Sequence, residues 1–117
     1  MRGNSGDQQR LLHILDAIST IQEFIIGVDY EAYQGDYKLR LAVVKLLEIT
    51  GEAATHISEE LRLKYPEVEW PLLRGMRNVF VHEYFGIDYE IMWKSLQQRL
   101  PQLKEKIEEI ISKEFDD

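Results

Sequence analysis

The sequence predicts an all-α protein, an antiparallel bundle of four to five helices. Three observations predict it. Apolar residues recur at helical spacing along most of the chain, no segment alternates with period two, and Asp, Gly and Pro fall where helices start and stop. A chain of 117 residues has room for one domain and one core. The expected division is a flexible N-terminus over residues 1–6 and a single helical domain over 7–117.

Asp7 can cap a first helix, about Asp7 to Ile26. Leu11, Leu12, Ile14, Leu15, Ile18, Ile21 and Ile25 give it a wide apolar stripe, and Gly27 ends it. Val28 to Gly35 reads as a short connection carrying Tyr30 and Tyr33. Asp36 can cap a long second helix that runs to about Tyr65, where Pro66 stops it. Leu39, Val43, Leu46, Leu47, Ile49, Ala53, Ala54, Ile57 and Leu61 are its apolar positions. Gly51 in mid-run marks a bend or a close contact with another backbone. Pro71 suits the first turn of a third helix. Asp88 caps a fourth, to Leu100, and Pro101 begins a fifth with Leu103, Ile107, Ile110 and Ile111 on its face.

Composition excludes several classes. No cysteine is present, so neither a disulfide framework nor a thiolate metal site is possible, which fits a reducing compartment such as the cytoplasm. No apolar run approaches the ~20 residues of a membrane span, and the N-terminus lacks the apolar stretch of a signal peptide. Neither membrane nor DNA is expected as a partner. The net charge of −7 argues against a broad electrostatic grip on nucleic acid, so any RNA contact is local and brief.

The stretch Leu72 to Ile87 is where polar residues capable of chemistry sit inside an apolar pattern. Taken as one helix at about 100° per residue, it splits into two arcs. Leu72, Leu73, Met76, Val79 and Phe80 share the core arc; Arg74, Arg77, Asn78 and His82 share the other, with Gly75 among them. Asn78 and His82 are four apart and so are neighbours. Gly86 ends the helix near Tyr84, which leaves His82 and Tyr84 at its mouth.

Arg77-Asn78-Val79-Phe80-Val81-His82-Glu83-Tyr84 resembles the Arg-x-x-x-x-His-x-Tyr signature of HepT-like toxins in the HEPN superfamily. The flanking segments Leu46 to Trp70, Phe85 to Trp93 and Leu100 to Ile110 are similar to that family too, so the resemblance covers most of the chain from Leu11. Glu83 stands where relatives often have Asp, and Lys45-Leu46 where relatives often show Arg-Asn. The resemblance implies a HEPN-like bundle that dimerises and sets two copies of the motif across a shared cleft. It implies a metal-independent endoribonuclease toxin that uses the RNA 2′-hydroxyl as nucleophile and needs no cofactor. It also implies a nucleotidyltransferase-like antitoxin as partner, able to attach AMP to Tyr84.

The residues suit that chemistry. A histidine near its usual pKa of ~6.5 can take a proton or give one at neutral pH. A guanidinium matches phosphate oxygens bidentately and keeps its charge. On this reading Arg77 and His82 are the catalytic residues and Asn78 supports them by orienting the imidazole or binding phosphate. One protomer offers one motif histidine, so two proton transfers invite a second motif from a homodimer mate. No metal is expected, because Glu83 is the only carboxylate beside His82 and falls about 100° around the helix. A lone histidine near a helix end is ordinarily structural or solvated; the whole pattern outweighs that here. Arg74 reads as solvated surface, Trp70, Trp93 and Phe85 as core, and His13 and His56 carry no assigned role. Glu48 and Glu52 can line the cleft, though solvent exposure or pairing within the helix is the plainer reading. Tyr84 is as much a packing aromatic as a modification site. The alternative function is a non-catalytic dimeric binding subunit of a nucleotidyltransferase complex.

Overall fold

The structure is a computed structural model that describes residues 5–78 and 89–115. The described residues form six α-helices and one 3₁₀ turn, with no strand among them. They are α1 (Ser5–Ile25), α2 (Tyr30–Gly35), α3 (Tyr37–Thr55), α4 (Glu59–Lys64), α5 (Trp70–Gly75), the 3₁₀ turn η1 (Met76–Asn78) and α6 (Tyr89–Phe115). The all-α expectation holds.

The chain punctuates itself with short polar residues. Gly27, at φ 72°, takes the left-handed conformation that ends α1. Asp29 Oδ1 accepts from Ala32 N at 2.8 Å and caps α2, so the expected connection holds a helical turn of its own. Asp36 Oδ1 accepts from Leu39 N at 3.0 Å and caps α3, as expected.

The expected long second helix is divided in two. α3 stops at Thr55, where His56 N and Ile57 N donate to the Ala53 and Ala54 carbonyls at 3.1 and 3.3 Å. Ser58 then caps α4, its Oγ accepting from Leu61 N at 3.2 Å. Asp7 is the reason the break is stable. It does not cap α1; it lies buried, accepting from Ser58 N at 2.9 Å and Ser58 Oγ at 2.6 Å. The expected fourth and fifth helices are instead a single helix over the described span, since α6 runs from Tyr89 through Pro101 to Phe115. Asp88, expected to cap it, lies outside the described residues.

These contacts set the directions. Asp7 at the start of α1 meets Ser58 just past the end of α3, so α1 and α3 run antiparallel. Leu12 and Leu15 of α1 share a groove with Ile111 and Phe115 of α6, so those two also run antiparallel. Tyr33 of α2 stacks on Trp93, centroids 4.8 Å apart, which fixes the start of α6 beside the α1–α3 connection. Leu11, Ile14, Ile18 and Ile21 meet Val43, Leu47 and Ala54 in a core closed by Trp93, Leu96, Leu100, Ile107 and Ile110. Leu12 and Ile49, counted among the apolar stripes, are 45% and 39% exposed, so both belong to the surface.

Candidate functional site

The end of α3 and the turn after α5 form the site. Trp70 and Leu73 anchor α5 in the core, and Trp70 Nε1 donates to the Tyr65 carbonyl at 2.9 Å. Pro71 occupies the first turn, as expected. The helix then tightens to 3₁₀ geometry at Met76, so a uniform 100° wheel does not carry through to Asn78. Leu72, expected in the core, is 40% exposed because the short helix buries Trp70 and Leu73, and Leu72 lies a quarter-turn and more away.

Gly51 decides where this turn sits. A Cβ on Gly51 would lie 2.3 Å from Arg77 N and 3.0 Å from Arg77 Cα. The backbone of η1 therefore rests directly on α3, which is the close approach, of the two expected alternatives, that Gly51 serves. From there the Arg77 side chain crosses the last turn of α3. Its Nη1 donates to Thr55 Oγ1 at 3.3 Å and stands 3.9 Å from Glu52 Oε1. Thr55 Oγ1 in turn donates to the Gly51 carbonyl at 2.9 Å. The other Glu52 oxygen, Oε2, faces His56 Nε2 at 3.0 Å. The result is a row of polar groups, His56–Glu52–Arg77, open to solvent at the end of the bundle.

Of the expected site residues, the structure places Arg77 and Asn78 together on exposed surface, with Arg74 half-buried one turn before. His82 and Tyr84 lie outside the described residues, as do Val79, Phe80, Glu83, Phe85 and Gly86. Trp70 and Trp93 are core, as expected. Glu52, weighed as lining the cleft or pairing within its helix, does pair within it, with His56, and also faces Arg77; Thr55 and His56 are the members that sequence reasoning missed. The signal was present: Glu52, Thr55 and His56 sit at i, i+3 and i+4, one helical face, directly after Gly51.

What this arrangement can do is hold one cation at a fixed place in the open, where anions can reach it. Carboxylate and hydroxyl both approach the same nitrogen, Nη1, and a guanidinium has further N–H groups to offer an anion.

These features define a small all-helical protein with a cationic turn packed on a glycine of a neighbouring helix. A family model described as HepT-like, ribonuclease HepT-like, matches residues 14–110. A Methanocaldococcus jannaschii protein named provisionally as an RNase is 38% identical over 98 residues, spanning 84% of this chain and 90% of its own. A Caldanaerobacter subterraneus subsp. tengcongensis protein, also named provisionally as an RNase, is 38% identical over 104 residues, spanning 89% and 93%. A Thermococcus cleftensis protein named provisionally as ribonuclease HepT is 36% identical over 97 residues, spanning 83% and 88%. No solved structure matches. The chain belongs to the ribonuclease HepT-like family.

Proposed function

We propose that this chain is a metal-independent endoribonuclease, the toxin of a toxin–antitoxin pair. The observation that carries the reading is Arg77, an exposed arginine held at a fixed place by the end of α3. It opens the segment that resembles the family signature, in a chain whose relatives are named provisionally as RNases. In the proposed reaction the RNA 2′-hydroxyl attacks the adjacent phosphorus. The bond from phosphorus to the 5′-oxygen breaks, leaving a cyclic phosphate and a free 5′-hydroxyl. One proton leaves the 2′-oxygen and another reaches the 5′-oxygen. His82 serves proton transfer, Arg77 binds the phosphate oxygens as charge builds, and Asn78 supports them. The active form is a homodimer. The partner is a nucleotidyltransferase-like antitoxin that attaches AMP to Tyr84, adding a bulky nucleotide and a negatively charged phosphodiester to the motif.

The test is cleavage of defined RNAs by purified wild type, His82→Ala and Arg77→Ala, with and without a chelator. Each substitution is expected to slow cleavage by ~100-fold or more with the fold intact. The chelator is expected to leave the rate unchanged. Strict dependence on a divalent ion would refute the mechanism. A wild-type protein inert on every RNA, with and without the partner, would favour the non-catalytic binding subunit. Control is tested separately, by intact mass after incubation with the partner, ATP and magnesium. Mass gain in units of AMP is expected on wild type but not on Tyr84→Phe, and equal labelling of both would place the modification elsewhere.

A further inference from the structure

We propose that Glu52 is a positioning residue for Arg77: its carboxylate, with the Thr55 hydroxyl, holds the guanidinium in the orientation that meets phosphate. The proposal rests on the reading of Arg77 as the phosphate-binding group. Two contacts meet the guanidinium from the α3 side, and a third seats its backbone. The backbone of Arg77 abuts Gly51, so the root of the side chain cannot move closer to the helix. Thr55 Oγ1 spends its own proton on the Gly51 carbonyl and so presents a lone pair to Nη1. Glu52 Oε1 stands 3.9 Å from the same nitrogen, and Oε2 is held by His56 Nε2 at 3.0 Å. The carboxylate is thus steadied from the side away from Arg77.

Magnitude argues against a large role in folding stability. Glu52 and Arg77 are 62% and 48% exposed, and an ion pair in such solvent contributes little to the folded state. Its effect falls on geometry instead. Arginine has many rotamers, and a phosphate meets it bidentately only when the planar fork is already turned the right way. Tethering through Nη1 leaves the other N–H groups of the guanidinium for an anion. The negative charge of Glu52 opposes RNA binding in the ground state, a cost to affinity that an orienting role offsets.

Single-turnover cleavage of one RNA by wild type, E52Q, R77K and E52Q/R77K tests this, together with nitrogen-15 spectra of the arginine side chains. E52Q is expected to lower the cleavage rate constant roughly ten- to hundredfold while apparent affinity for RNA holds or tightens. In the R77K background, E52Q is expected to cause no further loss, because a lysine has no fork to orient. The Arg77 signal, assigned by its absence in R77K, is expected to show hindered rotation in wild type and free rotation in E52Q. Equal loss from E52Q in both backgrounds, or an E52Q rate equal to wild type, would overturn the proposal. If wild type cleaves no RNA, the catalytic reading of Arg77 fails, and the spectra alone decide. Rotation hindered in wild type and freed in E52Q would still show that Glu52 holds the guanidinium; identical spectra would show that it does not.

Discussion

Gly51 carries no side chain at the point where α3 meets the backbone of Arg77. A methyl there collides with backbone atoms, which cannot swing aside as a flexible side chain would. Overpacking of this kind costs about 1–3 kcal/mol, against the ~0.5–1 kcal/mol that alanine gains over glycine within a helix. Gly51→Ala is therefore expected to lower stability, by up to about 2.5 kcal/mol, and to displace Arg77. Gly35→Ala, with open space around it and no left-handed backbone, is the control and is expected to be neutral or mildly stabilising. Urea unfolding of both measures the contrast, and a Gly51→Ala protein as stable as wild type would count against the close packing. Tyr65 offers a second test. Its hydroxyl donates to Glu114 Oε2 at 2.5 Å, and burial first, then that bond and the Glu114 charge, push its pKa from 10.0 to about 12. A phenol whose pKa is raised on folding contributes stability that is fully present below 10 and lost as pH rises toward about 12. The Glu114 carboxyl is shifted down, chiefly by its bond from Lys64 and then by Tyr65, with burial opposing. Its contribution is present above the ordinary carboxylate range and lost as pH falls through the lowered value. Unfolding free energy measured across the alkaline window should fall less steeply for Tyr65→Phe than for wild type; equal slopes would remove the Tyr65 assignment.

At the scale of elements, helix content was legible and helix boundaries less so. Trp93, Leu96, Leu100, Leu103, Ile107 and Ile110 are spaced alternately three and four apart, an uninterrupted helical stripe across Pro101. Reading Pro101 as a start gave local chemistry precedence over that stripe. In the structure the stripe wins: Leu100 and Ile107, on either side of the proline, are both buried, and the helix continues. A proline inside a helix still removes one backbone hydrogen bond and crowds the preceding turn, at up to ~3 kcal/mol. Pro101 is exposed, so Pro101→Ala is expected to raise stability by about 1 kcal/mol or more, read from urea unfolding. A destabilised Pro101→Ala would mean that a bend at the proline matters to the packing of α6. The break after Thr55 was hidden for the opposite reason. No glycine or proline marks it, and its partner, Asp7, is 51 residues away in sequence. Ser58 followed by Glu59 and Glu60 was the one local sign of a new helix start. Arg77 and Asn78 were legible as exposed polar residues, whereas Glu52 and Thr55 as their neighbours depended on a tertiary contact that Gly51 permits.

The whole molecule must answer a proton count. The proposed cleavage removes one proton and delivers another, and the motif holds one histidine, His82. His56 is turned to Glu52, which separates it from Arg77. A second His82 from a second copy completes the pair, as the proposed homodimer provides. For the proposed pairing, the outer face of α3 is a candidate place for that copy. Leu41 and Ile49, each 39% exposed, lie within about 80° of each other on the helix, and Glu52 lies between them in angle. Light scattering at micromolar concentration is expected to give about twice the 13.8 kDa chain mass. Cleavage by mixtures of wild type and His82→Ala, exchanged at fixed total protein, then reads whether the site is shared. If each active unit needs both histidines, activity follows the square of the wild-type fraction, so an equal mixture retains about a quarter of the wild-type rate. If each chain works alone, activity falls linearly and about half remains. A linear decline, or a monomer with full activity, would return the second proton transfer to a group within one chain and remove the functional argument for pairing.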